Sequence, residues 1–205
     1  MATVRQPRAT TVAKRERLLD ATEELMLEDG YAAVSSRSVA AKVGINAPLV
    51  HYYFPTLDDL FVAVLRRRAE ANVARMAAAL DADEPLRAWW AVASDARGSA
   101  LFVELIAAAN HREALREVVG EYAREVRAMQ MTRLAELLPE YGLDPGELPP
   151  ALVATGIQGL AFALVADQVA GHDTATDEAA DGMARLLDRL EARRRDRGVP
   201  VTGRA

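Results

Sequence analysis

An all-α protein of about nine helices is predicted, and three observations carry that expectation. The chain has 205 residues, of which 41 are alanine and 24 leucine, against 32 for valine, isoleucine and threonine together. The first pair favours helix and the second group strand. Apolar residues also recur at spacings of three and four with charges between them, as in Leu115, Val118, Val119, Tyr122, Val126, Met129, Leu134 and Leu137. That spacing makes one face of an amphipathic helix. Finally, no segment shows strict alternation closed by hairpin turns.

Residues that end helices or favour turns set the joints: Gly30, Gly44, Pro55 and the stretches 81–85, 139–150 and 171–177. Helices are expected over 11–29, 36–43, 47–53, 57–80, 86–96, 99–109, 112–138, 150–170 and 176–197. Residues 1–9 and 198–205 have little to bury and are expected to be mobile. No repeat appears. Residues 148–166 form an uncharged stretch of 19 residues, long enough to raise the question of a membrane span. It contains Pro149, Pro150, Thr155, Gly156, Gln158 and Gly159, so a buried helix or subunit contact is the better reading. No export signal is visible in residues 1–30, and a soluble cytoplasmic protein with no membrane partner is expected.

Composition narrows the function. Cysteine is absent, which removes disulfides, thiolate metal sites and cysteine nucleophiles together. The net charge is −5, so the whole molecule is no general polyanion binder. Residues 1–54 carry seven basic and six acidic groups, net +1, and the remainder 18 minus 24, net −6. Nucleic-acid contact is therefore expected only at the N-terminal end. Arg5, Arg8, Lys14 and Arg15 form a basic arm there. Catalysis lacks support. His51, His111 and His172 are far apart, and there is no metal-binding helix pair, nucleophile elbow or P-loop. His172–Asp173 reads as a surface pair. No metal, cofactor or catalytic residue is expected.

Residues 36–53 hold two helices too short to persist alone, joined at Gly44. Ser36 is a candidate cap for the first, and Val39, Ala40 and Val43 give its inward face. Gly44 supplies the backbone freedom of a C-terminal stop. Asn46 is a good N-cap for the second helix, and Pro48 sits in its first turn, where no intrahelical N–H is lost. Helix, glycine turn and short helix is the pattern of a helix-turn-helix, whose second helix enters the major groove.

The stretch Arg17–Leu60 resembles the N-terminal domain of the TetR family of bacterial transcriptional regulators. Leu18, Leu19, Ala21, Leu25 and Met26 resemble the packed face of its first helix, and Gly30–Tyr31 the glycine-aromatic stop. Val39–Ala40 with Val43–Gly44–Ile45 resembles the second helix and turn. His51-Tyr52-Tyr53-Phe54 resembles the aromatic end of the recognition helix. Thr56–Leu60 resembles the start of the long fourth helix. Beyond these 44 residues the likeness is one of length and helical layout.

The resemblance implies a homodimeric, ligand-responsive repressor on a double-stranded DNA operator. It has a DNA-binding domain over 1–55 and an effector-binding and dimerisation domain over 56–205, with 56–80 as the connecting helix. Ser36, Arg37, Asn46, Ala47, Leu49, His51, Tyr52 and Tyr53 are the implied DNA contacts, and Phe54 a core anchor. His51 stands where tyrosine is common, and Leu57 where a lysine commonly meets phosphate. Thr56 and Asp59 read without DNA as a capping box.

In the larger domain, Trp89, Phe102, Leu105, Met129, Gln130 and Phe162 are candidates for a pocket holding an unidentified small-molecule effector. Trp90 is a further apolar candidate. Glu104, Asn110, His111 and Gln158 are further polar ones. Gly156, Gly159, Ala163, Ala166, Leu186 and Leu190 are expected at a two-fold interface, with Ala170 extending the small-residue surface. A different class remains open: a helical-bundle enzyme or small-molecule carrier without specific DNA binding.

Overall fold

The structure, a computed structural model, describes residues 6–171 and 174–198. Arg5 of the basic arm, the His172–Asp173 pair and residues 199–205 lie outside the described residues. Among those described there are nine α-helices, a short 3-10 turn at Tyr31–Ala33 and no strand. The fold is all-α, as the composition and periodicity led us to expect.

The helices are α1 (Gln6–Asp29), α2 (Ser36–Val43), α3 (Ala47–Tyr53), α4 (Leu57–Leu80), α5 (Pro85–Ala93), α6 (Ala96–Ala109), α7 (Glu113–Glu140), α8 (Pro150–Ala170) and α9 (Thr174–Asp196). Four have the bounds read from sequence: α2, α3, α4 and α8. The others differ for local reasons. α1 starts five residues early, at Gln6. α5 stops at Ala93, and Ser94 is its C-cap, with N–H and Oγ both donating to the Trp90 carbonyl, at 2.9 and 2.8 Å. Asp95 then accepts the Gly98 N–H at the start of α6. α7 runs through Pro139, which has no N–H to give to the i−4 carbonyl, and ends one residue later. It closes at Gly142, φ 69°, where Leu143 N–H donates to Leu138 and Gly142 N–H to Pro139. That pair of bonds is a Schellman stop.

The chain divides into two compact units, residues 1–69 with 100–121, and 70–99 with 122–205. The boundary expected at residue 55 falls inside the first, because α4, α6 and α7 are long and each passes from one unit to the other. The N-terminal unit is packed around Leu18, Leu19, Met26, Val39, Val50, Phe54, Leu60, Phe61, Val64, Leu101, Leu105 and Leu115, all buried. The C-terminal unit has its own core of Met76, Leu80, Trp89, Leu134, Leu137, Tyr141, Ala154, Ile157 and Leu187. Each large aliphatic side chain or phenylalanine among these contributes about 1.5–3 kcal/mol by leaving water.

One polar network in the C-terminal unit is buried. The Glu191 carboxylate accepts the N–H groups of Leu86 and Arg87 at 3.1 Å each, satisfying the first turn of α5, and the Tyr141 hydroxyl at 2.8 Å. Arg194 donates to Glu140 and to the Asp83 carbonyl, and lies 5.7 Å over the Tyr141 ring. Burial, and then the neighbouring Glu191 carboxylate, push the Tyr141 phenol well above its usual range. Glu191 sits on the amphipathic α9, yet it is only 1% exposed.

Candidate nucleic-acid interface and ligand-binding residues

The turn between α2 and α3 is built from capping chemistry. Ser35, not Ser36, caps α2. Its hydroxyl accepts the Ser38 N–H at 3.1 Å while the Ser38 hydroxyl accepts the Ser35 N–H at 2.8 Å. Ser36 is the first helical residue, so its side chain is not at the capping position. Gly44 lies in the left-handed region at φ 75°, ψ 37°. Its N–H bonds to Ala41 at 3.2 Å and that of Ile45 to Ala40 at 2.9 Å, a Schellman stop that turns Ile45 onto the core. The Asn46 side chain accepts the Leu49 N–H at 3.1 Å and starts α3, with Pro48 in its first turn. The expected box at α4 is present: Thr56 N–H and hydroxyl both reach Asp59, and Asp59 N–H returns to Thr56.

These caps set which side of α3 faces water. Val50 and Phe54 are buried at 1% and 3%, and pin the helix to α1 and α4 residues in one core. Asn46, Pro48, His51 and Tyr52 are exposed, Tyr52 to 75%. Ala47, Leu49 and Tyr53 are half-buried. Tyr52 and Tyr53 meet edge to face at 5.2 Å, which orients both rings without hiding the Tyr52 hydroxyl. His51 Nδ1 lies 3.3 Å from the Pro55 carbonyl. A carbonyl only accepts, so Nδ1 carries the proton and Nε2 is the atom left to face outward. Leu57 packs against the core.

Basic groups around this face differ in availability. Arg37 is exposed. Lys42 is held by Glu28 at 2.6 Å and Glu24 at 3.4 Å, and the Glu28 bond raises its pKa. Arg15 lies 5.1 Å over the Phe54 ring and Arg17 donates to the Val43 carbonyl at 3.2 Å. Those two place cationic groups at the C-terminal ends of α3 and α2. Arg17 was not singled out from sequence, because its partner is 26 residues away.

The remaining helices of the N-terminal unit grip this module at both ends. Glu104 of α6 accepts the Tyr31 N–H at 2.8 Å, and the His111 ring stacks on Tyr31 with centroids 6.3 Å apart. Arg112 pairs with Asp58 and lies 4.9 Å over the Phe61 ring, just inside α4. Arg67 spans Glu16, Asp20 and Glu23, one stripe of α1, at 3.0, 2.8 and 2.6 Å. Glu104 and His111, considered as polar groups for a ligand, are thus found against Tyr31.

A model of the group described as bacterial regulatory proteins, tetR family, matches residues 18–64. An uncharacterised HTH-type transcriptional regulator of Mycobacterium tuberculosis is 31% identical over 164 residues, covering 74% of this chain and 80% of its own. The chain belongs to the TetR family. This TetR-family chain is an HTH-type transcriptional regulator, the class of its relatives. The repressor KstR of Rhodococcus jostii is 39% identical over 57 residues, 28% of this chain and 27% of its own. The multidrug binding protein EbrR, solved with imidazole, is 30% identical with a TM-score of 0.54, covering 94% of this chain and 93% of its own.

In this TetR-family chain the candidate ligand residues divide between the units. Leu105 is buried in the N-terminal core, and Phe102, half-buried, belongs to the same unit. Trp89 and Gln130 are fully buried in the C-terminal unit, and Met129 packs against that core. Phe162 is 58% exposed on α8. On the same helix Leu152, Thr155, Gly156, Gly159, Phe162, Ala163 and Ala166 are all exposed, at spacings of three and four. They make one uncharged stripe. A Cβ added at Gly156 or Gly159 would meet nothing within 4 Å. Residues 150–167 are long and apolar enough to cross a membrane, and only 28% of them are buried. Leu186 of α9 is exposed, Leu190 half-buried and Leu187 buried in the core.

Proposed function

We propose that this protein is a homodimeric, ligand-responsive repressor that works in the cytoplasm on a palindromic operator. The observation that carries the reading is the outward face of α3. Asn46, His51 and Tyr52 are exposed there, on a seven-residue helix anchored from behind by Val50 and Phe54. Tyr52, Arg37 and Ser36 supply phosphate contacts, which position the helix, while Ala47, Leu49 and His51 meet base edges. With Nδ1 of His51 against the Pro55 carbonyl, Nε2 is the ring nitrogen that meets a base edge. Asn46 has its side-chain oxygen committed to the Leu49 N–H. Its contribution to base preference is therefore through the amide nitrogen or through the pose of α3.

The exposed stripe of α8 supports the dimer. An uncharged face running from Leu152 to Ala166 is costly to leave in water, and pairing with its twin and with Leu186 of α9 covers it. KstR is named a repressor and EbrR a multidrug binding protein. Those names support repression and ligand response for this chain. Fragments selected from a random duplex library should converge on an inverted repeat with half-sites about one helical turn apart or more. A selection that yields no enriched sequence, or a single unrepeated half-site, rejects the reading.

A further inference from the structure

Two buried polar atoms in the C-terminal unit have no hydrogen-bond partner, Nε1 of Trp89 and Oε1 of Gln130. Among the described residues no other buried side-chain nitrogen or oxygen is left so. Both side chains are wholly enclosed. An enclosed group without a partner forfeits its bond to water and gains nothing in return, so such atoms are rare in folded chains. Elsewhere in this unit the polar groups are matched. Tyr141 and the first amides of α5 meet Glu191, Arg194 meets Glu140, and Asn72 meets the Tyr122 hydroxyl at 2.5 Å.

The two open atoms are of opposite kind. The indole N–H only donates and the amide oxygen only accepts. Trp89 belongs to an apolar core with Met76, Leu80, Val126, Leu134 and Ile157, and Gln130 meets that core at Met76. The amide nitrogen of Gln130 reaches only the Met76 sulfur, at 3.4 Å, a weak acceptor on a side chain that repacks readily. The buried charges, Glu191 and Arg194, are already paired, so nothing there would neutralise an ionic guest.

We infer that this core seats an uncharged guest of mainly apolar surface that accepts from Trp89 Nε1–H and donates to Gln130 Oε1, such as a carboxamide or a phenol. A hydrocarbon leaves both atoms unpaired. An anion or cation is desolvated without a partner. The inference rests on the ligand-responsive reading above and names the class of ligand and the two groups that select it.

The test uses the full chain and three matched probes: 4-butylbenzamide, butylbenzene and 4-butylbenzoate. The indole resonance of Trp89, distinguished from that of Trp90 by Trp90→Phe, is followed by proton–nitrogen correlation. In the free protein it should lie upfield, as for an unbonded N–H, and move downfield with the benzamide. The benzamide should bind at least tenfold more tightly than either other probe. Gln130→Met should remove that preference. A Trp89 resonance already downfield and unmoved by the benzamide would mean that an enclosed water pairs the N–H, and would overturn the inference. Equal binding of the benzamide and butylbenzene would overturn it too. Should Gln130→Met not fold, the wild-type resonance and the probe ranking decide alone. Duplex binding is measured separately. A protein that holds its operator but shows no preference among the probes loses this inference and keeps the proposed regulator. One that binds the benzamide without releasing DNA keeps the inference and loses the ligand response.

Discussion

Gly44→Ala isolates a backbone effect at the turn on which the DNA-binding module depends. Gly44 is left-handed, at φ 75° and ψ 37°. An added Cβ meets nothing within 4 Å, so no packing clash enters the balance. The left-handed conformation costs an L-residue about 1–2 kcal/mol. Alanine also restricts the unfolded chain, which returns about 0.4–1 kcal/mol. The net is a loss of about 1 kcal/mol, or a fall in Tm of about 2–4 °C for a chain of this size. Gly44→Asn should lose less, because asparagine tolerates this region. Urea unfolding followed by circular dichroism reads all three proteins. Operator affinity should fall with Gly44→Ala more than with Gly44→Asn, since Ile45 and the cap of α3 follow directly. Equal stability of Gly44→Ala and wild type would refute the reasoning, as would an asparagine variant worse than the alanine one.

Tyr52→Phe should weaken binding alike across operator variants in competition titrations, because a lost phosphate contact carries no direct sequence information. A changed base preference with intact affinity would reverse that role. Asn46→Ala should cost about 1 kcal/mol of stability through the lost cap, measured by thermal unfolding, whereas Asn46→Asp keeps the cap and tests DNA contact separately. Phe162→Lys should leave a folded protein that sediments near 22 kDa, where the proposed dimer has the wild type sedimenting at about twice that mass. Tyr141→Phe should cost about 1–3 kcal/mol near neutral pH, since Glu191 loses a buried donor. The folded phenol titrates above the unfolded one, so its contribution is complete below about pH 10 and is lost as pH rises further. The variant's stability should therefore decline less steeply in that range.

The helix-turn-helix was legible because its signals are local. Gly44, Asn46, Pro48 and the Thr56–Asp59 box each act within five residues, and α2, α3 and α4 have the expected bounds. The cap of α2 was misplaced by one residue. Ser35 and Ser36 are adjacent, and the reciprocal partner is Ser38 where a glutamate or glutamine would have marked the box. What sequence could not show is contact between distant segments. Glu191 looks like one more charge on an amphipathic helix, yet its partners are Tyr141 and the amides of residues 86 and 87, 50 to 105 positions away. Arg112 on Asp58, Arg17 on Val43 and Glu104 on Tyr31 were hidden for the same reason. Uncharged composition alone left α8 open between a buried helix and a subunit contact. Its exposed face adds the asymmetry that composition lacks.

The most direct test of the central claim is an equilibrium titration of the selected inverted repeat against a scrambled duplex of equal length, over a range of salt. The account predicts a complex of two protomers per duplex, at least about 10³-fold tighter on the repeat than on the scramble, with affinity falling steeply as salt rises. Equal affinity for the two duplexes, or no salt-sensitive complex with either, would contradict it.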